Sequence, residues 1–168
     1  MQTATYFSTL ARYHAWATGR LLDALAPVGD DDYRRDVGLF FKSIHGALSH
    51  LLVGEHIWFP RFAEGASPRL ALNAELEPDR RALDARLRAG AASWGPLIAA
   101  MDASRFSGTL DYTTTRGVPA SLPFAATLGH VFNHGTHHRG QITAALTAIG
   151  QPCPELDWVY LLQQEAST

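Results

Sequence analysis

Apolar side chains recur at the spacing of an α-helix through most of this sequence. Four long stretches carry the pattern, namely residues 3–26, 41–62, 78–101 and 121–149. A shorter stretch with the same period covers residues 155–164. The pattern therefore predicts an all-α protein with four long helices and one short helix at the C-terminal end.

The segments between these stretches lack a helical period. Within residues 102–122, residues 106–112 alternate weakly, and the sequence TTTRG at residues 113–117 reads as a turn, which indicates a small hairpin or an extended crossover. The acidic residues 29–36 are interpreted as a solvated loop. Within the helices, Pro60 should kink or end the second helix, and Gly90 with residues 95–96 should interrupt the third.

Four long helices in a chain of 168 residues suggest a four-helix bundle. The length fits one domain over residues 1–168, and the hairpin or crossover would form part of the long connection before the fourth helix. Metal sites in such bundles are assembled from side chains on facing helices. Any metal site in this fold is therefore expected to take its ligands from facing helices.

Composition excludes two classes of partner. The chain has 14 basic and 16 acidic residues and a formal charge of −2, which gives no positive field to attract nucleic acid. No apolar run approaches the roughly 20 residues that cross a bilayer, and the N-terminal residues do not have the pattern of a signal peptide. We therefore expect a cytoplasmic protein that contacts neither nucleic acid nor membrane.

Residues 130–141, HVFNHGTHHRGQ, contain four of the eight histidines. At about 100° per residue on a helix, four polar side chains lie within about 60° of His134. They are His130, His137, His138 and Gln141. His134 and His138 are spaced i, i+4, so both imidazoles can point at one metal ion. The alternative is a polar helix face or hydrogen-bonded core histidines, but no carboxylate lies in this stretch to pair with so many imidazoles.

The second helix carries three further histidines. His50 lies at the edge of the apolar stripe of this helix. His45 and His56 lie close to each other on the helical wheel and over about 100° from His50. The three side chains therefore cannot all serve one site.

Three segments together resemble the DinB (damage-inducible) family. They are YHAWATGRL at residues 13–21, a histidine at position 50 eight residues before Trp58, and the histidine-rich residues 130–141. The resemblance implies an up-down-down-up bundle, often dimeric, with one metal ion held by three histidines. Carried over by position, it implies that the ligands are His50, His134 and His138.

Two positions depart from expected patterns. Relatives commonly have asparagine after the Trp-Ala pair of the first helix, whereas this chain has Thr18. Gly135 follows His134, so the segment is not the HExxH motif of metalloproteases and lacks the general base of those enzymes.

Two functions are consistent with these residues. The first is a metal-dependent transferase, isomerase or hydrolase, because three imidazoles leave a coordination position free for water or a low-molecular-weight thiol. The family resemblance points to thiol-dependent enzymes. The second is a non-enzymatic protein that binds a metal or small ligand, for example in a stress response. The expected ion is zinc or nickel, with iron and copper as alternatives.

Further residues could assist either function. Candidates around the ligands are His130, His137, Arg139 and Gln141. A homodimer is also expected, because the helices carry more large apolar side chains than one thin bundle covers. These are Phe40, Phe41, Trp58, Phe59 and Trp158.

Overall fold

The computed structural model describes residues 3–167, which form six α-helices and one two-stranded sheet. The elements are α1 Thr3–Leu25, α2 Asp30–Arg34, α3 Ile44–Ala63, α4 Arg80–Ala99, β1 Thr109–Thr113, β2 Pro119–Pro123, α5 Phe124–Ala148 and α6 Trp158–Ala166. The prediction of a mostly helical protein is confirmed. None of the helices in residues 3–167 combines the length and apolar character needed to cross a membrane.

Side-chain caps fix where two of the long helices begin. The hydroxyl of Ser43 accepts a hydrogen bond from the backbone N–H of Gly46 (3.0 Å), and α3 therefore starts after Ser43 rather than at Phe41. The carboxylate of Asp79 accepts from the N–H of Ala82 (2.9 Å) and starts α4 in the same way. Both caps supply partners to N–H groups that have none inside the helix.

Two local predictions were wrong and one, for Pro60, agrees with the observed helix. The acidic segment 29–36 contains the short helix α2, because its three aspartates suit a helix N-terminus and Tyr33 is buried beneath the guanidinium of Arg80, 4.2 Å from the ring centre. Pro60 lies in the last turn of α3, and the helix ends at Ala63, which agrees with the prediction that this proline kinks or ends the helix. Gly90 and Pro96 lie inside an uninterrupted α4, and the missing side chain of Gly90 lets Glu55 of α3 pack against it.

The four long helices contact one another in pairs. α1 packs on α4 and α5, and α3 packs on the same two helices. One core cluster is mainly aliphatic and includes Leu21, Leu48 and Leu83. A second is rich in aromatic rings and includes Phe7 and Trp94. The apolar faces of α1, α3, α4 and α5 are thereby buried against one another.

The connection before α5 is a hairpin rather than an extended crossover. β1 and β2 are antiparallel, with Thr109 opposite Pro123 and Asp111 opposite Ser121. Ser121 therefore belongs to β2, and the prediction that it starts the fourth helix was wrong because its backbone pairs in the sheet. The hairpin brings Tyr112 against Trp58 of α3, with ring centres 5.5 Å apart.

Candidate metal centre

Three histidines from two helices converge at one point. His50 comes from α3, and His134 and His138 come from successive turns of α5. One ring nitrogen from each lies within 4.8 Å of the others, and the two Nε2 atoms of His50 and His134 are 3.0 Å apart. Nitrogens bound tetrahedrally to zinc at about 2.0 Å would be about 3.3 Å from each other. The donor set and its spacing therefore fit a single ion.

Hydrogen bonds select the tautomer of two of these histidines. Nδ1 of His50 donates to the carbonyl oxygen of Leu72 (2.8 Å), and Nδ1 of His138 donates to Oε1 of Gln141 (2.7 Å). Because both oxygens only accept, each Nδ1 carries the proton and each Nε2 keeps its lone pair. This arrangement orients an imidazole for metal binding.

Burial keeps the histidines of this cluster neutral. It lowers the pKa of His134 to about 3 and that of His138 to about 4, and the neighbouring imidazoles add to both shifts. Burial also lowers the pKa of His50. Neutral imidazoles are the form that binds a metal, so protons do not compete for these nitrogens at neutral pH.

The cluster opens into a cavity of about 540 Å³. Aromatic side chains form much of its wall, and the ring of Phe41 stacks on His50 with centres 3.9 Å apart. The cavity also contains Arg61 from the last turn of α3. A ligand at the histidines would therefore lie between apolar walls, as small molecules do in most binding sites.

The structure separates the four predicted assisting residues into two groups. His130, His137 and Gln141 line the cavity. Arg139 does not line it, because its side chain points to α1, where Nη1 lies 3.0 Å from Nδ1 of His14. The helical wheel accounts for this placement, since a residue five positions after His134 lies about 140° around the helix.

Arg139 belongs to a buried network that sequence reasoning missed. Because a guanidinium only donates, Nδ1 of His14 accepts a hydrogen bond from Arg139. The proton of His14 is therefore on Nε2, which donates to Oε1 of Glu55 (2.8 Å). The other carboxylate oxygen of Glu55 accepts from the indole N–H of Trp94 (2.6 Å). Thr18 lies 3.5 Å from Arg139 and can accept from it. The network joins α1, α3, α4 and α5 beside the two clustered histidines of α5.

The two other histidines of α3 have partners elsewhere. Nε2 of His45 lies 2.5 Å from a carboxylate oxygen of Glu75. Nδ1 of His56 donates to the carbonyl oxygen of Leu52, and its Nε2 accepts from Arg86 (2.9 Å). Neither residue contributes to the three-histidine cluster.

A model of the DinB family matches residues 1–167 of the chain. The chain belongs to the DinB family. Protein DinB of Bacillus subtilis (strain 168) is 26% identical to it over 156 residues, which cover 89% of each chain. No solved structure gives a significant match. The family and the three-histidine cluster together fit a metal-binding DinB protein.

Proposed function

We propose that this protein is a metal-dependent enzyme that holds one divalent ion with His50, His134 and His138. One observation carries the proposal: three imidazole nitrogens converge at the wall of a cavity large enough for a small molecule. Structural zinc sites are closed by four protein ligands, whereas catalytic sites have three and leave a position for water or substrate. The cluster supplies three, and it faces the cavity.

The reaction we propose is activation of water or of a low-molecular-weight thiol. A bound divalent ion would supply Lewis acidity that lowers the pKa of such a molecule and makes it a nucleophile at neutral pH. Zinc and nickel suit an all-imidazole donor set, and iron and copper also accept it. The transferase, isomerase and hydrolase reactions of the proposed enzyme share this first step.

The chain itself contributes orientation, exclusion of water and proton transfer. Leu72 and Gln141 hold two ligand imidazoles through their Nδ1 atoms. Phe41 covers one face of His50 and keeps water from it. We propose His130 as a proton acceptor, since burial lowers its pKa and keeps it neutral, and its ring centre lies 5.8 Å from that of His134.

The same proposal includes an up-down-down-up bundle of α1, α3, α4 and α5. Contacts support antiparallel α1 and α4, because Asp23 near the end of α1 pairs with Arg88 in the first half of α4. Phe7 near the start of α1 lies 6.4 Å from Phe132 of α5, and His14 contacts Arg139 further along, which supports parallel α1 and α5. In this arrangement α3 and α5 face each other and can share one metal.

A homodimer also remains our proposal. Phe40 is 83% exposed, and α6 presents Val159 and Leu162 at 50% and 44% exposure. The other aromatic residues on which the prediction was based are at least half covered within the chain, so Phe40 and α6 are the surfaces we propose for contact with a second copy. Light scattering at micromolar concentration tests it, and a monomer mass would contradict it.

The decisive experiment for the metal site uses protein purified without a metal-affinity tag. Elemental analysis should find about one divalent ion per chain. Cobalt-substituted protein titrated with 2-mercaptoethanol should then gain a sulfur-to-metal charge-transfer band, because a thiolate enters the position that the protein leaves free. A bound ion with no such band would instead favour a closed, non-enzymatic metal-binding module.

A further inference from the structure

Arg61 is a buried cation without an anionic partner. Its side chain lies on the cavity wall, and the residue is only 4% exposed. Nη2 donates to the carbonyl oxygen of Thr113 (2.9 Å), and Nε has no hydrogen-bond partner. Among the ion pairs of residues 3–167, none involves Arg61. Removing a charge from water is unfavourable unless another charge compensates it.

Two aromatic rings hold the guanidinium in place. Its central carbon lies 4.5 Å from the ring centre of Trp58 and 4.4 Å from that of Tyr112. Both rings line the same cavity, one from α3 and the other from the hairpin. Cation–π contacts stabilise the position of Arg61 but leave its charge uncompensated. The site is therefore preorganised for an anion.

The rest of the cavity is suited to a molecule with an apolar body. None of the described residues that line it is acidic, and the ring of Trp58, which contacts Arg61, also lies 5.2 Å from the ring centre of His130. Arg61 follows His50 by 11 positions on α3, which at a rise of 1.5 Å per residue separates their Cα atoms by about 16 Å. A ligand that contacts both Arg61 and the three histidines therefore extends along α3.

We propose that this cavity binds an elongated apolar molecule that carries a carboxylate, and that Arg61 holds the carboxylate while the opposite end lies at the three histidines. A carboxylate matches the single charge of Arg61, and a hydrogen bond between two charged groups is about twice as strong as a neutral one. The placement of the far end depends on the proposed function. The carboxylate contact does not, because it involves only Arg61 and the aromatic wall.

The test compares octanoate with 1-octanol by calorimetric titration of the metal-free protein. The two molecules have the same chain length and differ in charge. We expect the wild-type protein to bind octanoate about tenfold more tightly than octanol. In Arg61→Gln that ratio should fall to about one, with the affinity for octanol unchanged. Arg105→Gln is the matched control, since Arg105 also lies over an aromatic ring, Phe124, but outside the cavity.

Two results would overturn the proposal without depending on the fold of a variant. They are equal affinity of the wild-type protein for octanoate and octanol, and binding of neither. A preference that persists in a folded Arg61→Gln protein would also overturn it. If Arg61→Gln fails to fold, Arg61→Lys takes its place, because it retains the charge and should retain part of the preference for octanoate. Loss of octanoate binding in Arg105→Gln would show that the net charge of the protein, and not Arg61, decides the affinity.

Titration of the cobalt protein with 8-mercaptooctanoate and 8-mercaptooctanol separates the two proposals. If both give a thiolate band and the carboxylate binds more tightly, both proposals stand. If both give the band with equal affinity, the role of Arg61 is wrong and the metal site stands. If neither gives it while the metal-free protein still prefers octanoate, the metal-thiol proposal fails and the carboxylate site stands.

Discussion

A Cβ atom placed on Gly135 would lie 2.9 Å from Cε1 of His14 and 3.0 Å from Nη1 of Arg139. The buried network of α1 and α5 is therefore tightly packed against Gly135, which lies between the two clustered histidines of α5. A larger residue would require the His14 ring, the Arg139 guanidinium or the helix itself to shift, and so would disturb the contact between α1 and α5 beside His134 and His138.

Gly135→Ala should therefore destabilise the protein. Overpacking of a tight interior costs about 1–3 kcal/mol, and chemical denaturation measures the loss. Gly140→Ala is the control in the same helix, because a Cβ there would meet no atom within 4 Å. Since alanine favours a helix over glycine by up to about 1 kcal/mol, that control should be neutral or stabilising. Equal effects of the two substitutions would contradict the packing argument.

Replacing a metal ligand should weaken metal binding by orders of magnitude. His50→Ala, His134→Ala and His138→Ala each remove one of three donors, and competition with a chelator measures the affinity that remains. His56→Ala is the matched control on α3, because its ring contacts Leu52 and Arg86 rather than the cluster. Stoichiometric tight binding by His134→Ala would show that the ion is held elsewhere.

The long helices and part of the site could be predicted from local patterns. The period of apolar residues predicts the four long helices, and the i, i+4 spacing predicts that His134 and His138 point the same way. The choice of His50 on α3 depends on the family resemblance together with its position beside the apolar stripe. These features are readable because each depends on residues within a few turns of one helix.

The remaining features depend on contacts between distant segments. The carbonyl oxygen of Leu72 reaches His50 only through the path of the loop between α3 and α4. Arg61 joins the site because the hairpin places Tyr112 over its guanidinium. The helical spacing of apolar residues does not predict such contacts. The position of Arg139 is different, since its angle on the helical wheel already separates it from His134.

Gln141 should tune the metal affinity without being a ligand. Its Oε1 accepts from Nδ1 of His138 and fixes the ring with Nε2 toward the cluster. Loss of such a supporting contact typically lowers metal affinity by about 10–100-fold. Gln141→Leu should show this loss in chelator competition, whereas Gln141→Glu accepts the same hydrogen bond and should retain the affinity. An unchanged affinity in Gln141→Leu would indicate that the other contacts of His138 suffice to orient it.

Acid should destabilise the metal-free protein through the histidine cluster. The pKa values of His134 and His138 in the folded protein, about 3 and about 4, lie below the ordinary value of 6.5 that applies in the unfolded chain. Below about pH 6.5 the unfolded chain takes up protons that the folded protein does not, so the free energy of unfolding falls as the pH falls, until the folded pKa of each histidine is reached. Each such histidine contributes up to about 1.4 kcal/mol per pH unit.

Urea unfolding of metal-free protein between pH 7.5 and pH 5 measures this slope in a range where most carboxylates remain ionised. His134→Leu removes one of the titrating groups, because a leucine takes up no proton in either state. The slope of the free energy of unfolding should therefore fall by up to about 1.4 kcal/mol per pH unit. Saturating metal should raise the stability at pH 7.5, since the ion binds only the folded cluster. That gain should stay nearly constant down to pH 5, because His134 and His138, with folded pKa values of about 3 and about 4, remain unprotonated in the folded protein over this range. Identical slopes in the wild-type and His134→Leu proteins would mean that His134 is protonated alike in both states, and that burial does not keep it neutral for the metal.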